Sequence, residues 1–88
     1  MNGSAIPPGE MNLQLSVLRS RLAELFLRVA DTLDESAQLA EGHARRCQTA
    51  GRGEFVDAEL ESAKKARAAA LRGRAASSYL SATGRPAP

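Results

Sequence analysis

One feature constrains this chain more than any other: a long ladder of apolar residues that no proline interrupts. It runs from Leu15 through Leu18, Leu22, Leu25 or Phe26, Val29, Leu33, Ala37, Ala40 and Ala44 to Cys47, always in steps of three or four. Residues at that spacing share one face of an α-helix, and a repeat near 3.5 residues is that of a coiled-coil seam. The reading is a single helix over 11–50. Two places compete with it. Gly42 costs about 1 kcal/mol against alanine and invites a bend. Thr32 with Glu35 has the spacing of a capping box, which would break the helix near Asp31 and start another.

The ladder stops at "TAGRGEF". Gly51 suits the left-handed position that ends a helix, and Gly53 suits the N-cap of the next. Glu54 and Asp57 then fall in a first turn, where acids complement the positive helix end, while Lys64 to Arg74 come later. The expected elements are a helix over 11–50, a turn over 51–53 and a helix over 54–80. So short a connection makes the helices antiparallel neighbours. With the turn centred on Arg52, residues whose numbers sum to about 104 stand opposite each other. Arg45 and Arg46 then face Asp57, Glu59 and Glu61; Glu41 faces Lys64 and Lys65; Asp31, Asp34 and Glu35 face Arg67, Arg72 and Arg74. The same register sets Ala37, Ala40, Ala44 and Cys47 against Leu60, Ala63, Ala66 and Ala70. It also sets Leu33 against Leu71 and Phe26 near Tyr79, a tight end at the turn and a bulkier open end.

The fold expected is therefore all-α, an antiparallel helical hairpin of coiled-coil type that dimerises into a four-helix bundle. Of the 88 residues, 1–10 and 82–88 are rich in Gly, Pro and small polar residues and read as disordered tails. The remaining 11–81 bury a low fraction of their surface and need idealised packing or a partner. A net charge of +2 demands no polyanionic partner, and a single cysteine suits a reducing compartment. The start lacks the order of a signal peptide and no apolar run approaches a membrane span, so the expected location is cytoplasmic, without membrane contact. The excess of alanine and arginine has the flavour of a high-GC bacterial genome.

Function is expected where the hairpin leaves helix one uncovered. Helix two runs out near Leu80, opposite about Glu24, so the stretch from Met11 onward has no partner within the chain. Leu13, Leu15, Val17, Leu18, Leu22, Leu25 and Phe26 form a broad apolar surface there, and such surfaces mark interfaces. The expected role is a non-enzymatic protein–protein interaction or regulatory module working as a homodimer, with a second protein partner as an extension. The alternative is a small nucleic-acid-binding protein using Lys64, Lys65, Arg67, Arg72 and Arg74 on phosphates. Its default reading is a solvated, ion-paired helix face.

His43 and Cys47, the only residues of their types, stand one helical turn apart. Zinc in a structural site takes four ligands, and the chain offers no further His or Cys, so no metal is expected. A Cys–His nucleophile needs an orienting group and a cleft, which two helices do not supply. Cys47 reads as an alanine-sized seam residue. No cofactor and no catalytic residue is expected.

Overall fold

The structure, a computed structural model, describes residues 8–83. Two α-helices, α1 (Pro8–Thr49) and α2 (Val56–Thr83), are joined by a turn and a short 3₁₀ segment (Gly53–Phe55). The described chain is an all-α antiparallel hairpin, as the periodicity predicts. Helix α1 is continuous for 42 residues. Neither the Thr32–Glu35 capping box nor Gly42 breaks it, because the seam against α2 rewards uninterrupted helix on both sides of each. Two boundaries differ from the sequence reading. Helix α1 opens at Pro8 rather than Met11, since proline's fixed φ and missing N–H suit a first helical residue and Glu10 complements the positive end. Helix α2 continues to Thr83, so of the two expected tails only 1–7 and 84–88 lie outside the described residues.

The chain reverses through a Schellman cap. Gly51 has φ of 78°, its N–H donates to the Gln48 carbonyl at 3.3 Å, and the Arg52 N–H donates to the Cys47 carbonyl at 2.7 Å. These bonds satisfy carbonyls that the end of α1 would otherwise leave open. Gly53 is not an N-cap. It begins the 3₁₀ turn, which Arg52 precedes without a side-chain cap, and α2 starts two residues later than the Glu54 expected.

The fully buried row of the seam is made of small residues. Ala23, Ala30, Ala37 and Ala44 recur every seven residues on α1 and are at most 5 % exposed; Cys47 joins them. Across from them, Ala63, Ala70 and Ser77 repeat the same interval on α2. Phe26, Leu33, Ala40 and Ala66 are partly buried beside this row. The helices also approach closely at the open end. A Cβ added to Gly73 would lie 3.3 Å from the Phe26 carbonyl oxygen and 3.5 Å from the Ala30 Cβ. The expected widening toward bulky pairs is absent: Leu71 and Tyr79 point outward, and Leu60 near the turn is exposed rather than seated against alanine. Among the described residues, no buried side chain is larger than that of Cys47.

Candidate interaction surface

The hairpin seam uses only part of α1. In the observed register the end of α2 lies opposite about Arg21, so residues 8–20 extend past it by roughly 20 Å at 1.5 Å per residue. Continued into this overhang, the seam's heptad falls on Arg19, Ser16 and Asn12, all polar. The large apolar residues sit one position earlier instead: Met11, Leu15, Leu18, Leu22, Leu25 and Val29. One residue is about 100° around a helix. Helix α1 therefore carries two apolar rows: an alanine row toward α2, and a leucine row turned away from it and fully formed without a partner among the described residues. From Met11 to Val29 nine large apolar side chains are 44–69 % exposed, Leu13, Val17 and Leu27 among them. The expected interface residues Leu13, Leu15, Val17, Leu18, Leu22 and Leu25 are all exposed. Phe26 is not part of this surface: it is half-buried beside the seam. Leu22, Leu25 and Val29 likewise leave the ladder as the sequence drew it, because Ala23, Phe26 and Ala30, one residue later, lie toward α2.

One flank of the seam is ion-paired. Arg67 makes a bidentate pair with Glu41, at 3.0 Å from Nε and 2.7 Å from Nη2, and reaches Asp34 at 3.7 Å. Arg74 contacts Asp31 at 2.9 Å and Asp34 at 2.8 Å. The hydrogen bond and charge of Arg67 hold the Glu41 carboxyl below its usual value, and Glu41 in return raises the Arg67 guanidinium. The sequence placed Glu41 against Lys64 and Lys65. The pairing falls instead to Arg67, whose planar fork fits a carboxylate. On α2, half-buried Ala69 and Ala76 precede seam residues Ala70 and Ser77 by one position, as Leu22 and Val29 precede Ala23 and Ala30 on α1.

The ion-paired flank absorbs two of the five basic residues considered for phosphate binding. Arg67 and Arg74 face acids of α1, and only Lys64, Lys65 and Arg72 remain fully on the outer surface.

His43 and Cys47 do meet. The imidazole Nε2 lies 3.5 Å from the Cys47 Sγ, and Nδ1 lies 2.9 Å from the Glu59 carboxylate. A tautomer with the proton on Nδ1 donates to Glu59 and leaves Nε2 to accept from the thiol. Glu59 is the orienting group that sequence reasoning missed; its number sums with 43 to 102, close to the register value, which is the signal that could have found it. The thiol itself is 4 % exposed and packed in the seam. A shallow hollow of about 300 Å³ beside it is lined by His43, Arg46, Cys47, Ala50 and Arg52. Among the described residues no group of three or more His, Cys, Asp or Glu has a metal-holding arrangement. No described helix is long and apolar enough to cross a membrane. Comparison with known proteins gives no match: no family model, no curated protein and no solved structure is similar to this chain.

Proposed function

We propose that this protein is a non-enzymatic protein–protein interaction or regulatory module, docking through the leucine row of α1 and working as a homodimer. The observation that carries this reading is the second apolar row itself. A chain that needed only the hairpin would have polar residues at Met11, Leu15, Leu18, Leu22, Leu25 and Val29, as it does at the seam's own continuation. Exposed apolar patches beyond a few hundred Å² mark interaction sites, and stable interfaces take about 800 Å² from each partner. The six row residues, each 44–60 % exposed, form a contiguous patch of that kind. The thiol's burial in the seam and the pairing of Arg67 and Arg74 give less support to catalysis and to phosphate binding.

Sedimentation equilibrium tests the reading. The wild type should sediment as a dimer at micromolar concentration. A triple variant, Leu15→Gln, Leu18→Gln and Leu22→Gln, should be monomeric with its hairpin helicity retained. A wild type that stays monomeric into the hundreds of micromolar refutes self-association.

A further inference from the structure

Resting on that homodimer reading, we propose that the second copy lies parallel and in register on the leucine row, each row residue meeting its own counterpart. Two orientations can bury the row, and two features on its borders separate them.

The antiparallel arrangement that overlaps all six positions sets Met11 against Val29, Leu15 against Leu25 and Leu18 against Leu22. It brings Arg21, which borders the row, against the same arginine of the second copy across the two-fold axis, and like charges so placed oppose association. It also sets Leu39 beyond the described α1 of the second copy, whose Pro8 would lie opposite Thr32. Among the described residues Leu39 is the most exposed large apolar residue, at 72 %. Its position is not random. From Val29 the 3.5-residue repeat continues through Thr32 and Ser36, both small, and lands on Leu39.

The parallel arrangement resolves both features. Leu39 meets its counterpart at the same level, past two small residues that let the helices stay close. Arg21 falls nearest position 26 of the second copy, and Arg28 nearest position 33, so neither arginine faces its counterpart. No like-charge pair forms at these positions. The two α2 helices fall on opposite sides of the central α1 pair, a four-helix arrangement in which the ion-paired flanks keep their contact with solvent.

Site-specific disulfide formation decides the orientation. In a Cys47→Ala background, Met11→Cys and Leu39→Cys are made separately; both positions are exposed, and Met11 lies outside the hairpin contact. Under mild oxidation each single variant should convert mostly to a covalent dimer. In the antiparallel case residue 11 lies about 27 Å along the axis from its counterpart (18 residues at 1.5 Å each). Neither single variant would then cross-link, whereas mixing Met11→Cys with Val29→Cys would. That result, or a sedimenting dimer with no cross-link at any of these positions, overturns the parallel pairing and leaves the homodimer standing. A chain that sediments as a monomer removes both.

Discussion

Gly42 and Gly73 both lie inside helices, yet replacing each with alanine should act in opposite directions. Alanine gains about 1 kcal/mol of helix propensity over glycine at either position. At Gly42 the new methyl meets only the ends of two flexible side chains, the Arg46 Nη1 at 3.4 Å and the Arg45 Nη2 at 3.6 Å. These swing aside, the propensity gain survives, and Tm should rise by about 4–8 °C for a chain of this size. At Gly73 the methyl lies 3.3 Å from the Phe26 carbonyl oxygen, which belongs to a helix backbone and cannot rotate away. The helices must part by a few tenths of an ångström, which loosens the alanine row beside them. Overpacking of this kind costs about 1–3 kcal/mol. Set against the propensity gain, Gly73→Ala should be neutral to about 2 kcal/mol destabilising. Thermal unfolding followed by circular dichroism measures both, at one protein concentration, because the Tm of an associating protein depends on it. If Gly73→Ala raises Tm as much as Gly42→Ala, the close approach at the open end is wrong.

Other outcomes follow from the same structure. Because Arg67 holds the Glu41 carboxyl below its ordinary value of 4.5, the pair stabilises the fold above that pH and its contribution is lost as pH falls through the lowered value. An acid titration of stability should show this slope, and Glu41→Gln should flatten it. Cys47→Ala should change stability by less than about 1.5 kcal/mol, since the site is alanine-like, whereas Cys47→Leu should cost about 1–3 kcal/mol by forcing the helices apart; urea unfolding separates the two. With Arg67 and Arg74 turned to acids, a gel shift with mixed DNA and RNA at low salt should show no retarded species. A salt-sensitive shift lost on replacing Lys64, Lys65 and Arg72 would instead revive the phosphate reading.

The hairpin was legible because its signals are local and redundant. The apolar period, the glycine turn and the opposed charges of Asp34 and Arg67 each imply the same register independently. The ladder's N-terminal half misled for a physical reason. Leu22, Leu25 and Val29 have the larger hydrophobic payload, yet Ala23 and Ala30 hold the seam because Gly73 brings the backbones too close for leucine. Size signals burial in a deep core, but in a two-helix contact closeness selects the smallest residues. The Glu59–His43 contact was not legible from composition, since it depends on which of three nearby acids faces inward. The leucine row, by contrast, was visible as excess apolar surface, and only the structure separated it from the seam by one residue.

The alanine seam also sets how the hairpin responds to temperature. Alanine has no rotamers to freeze, so closing the seam costs almost no side-chain entropy. It also removes little apolar area from water, and the heat-capacity change of unfolding scales with that area. The isolated hairpin should therefore have a ΔCp well below the usual 12–15 cal/mol/K per residue and a flat stability curve, readable by calorimetry on the monomeric leucine variant. Burying the leucine row would add the missing heat capacity, so the curvature of stability with temperature would report on pairing between chains rather than on the fold of one.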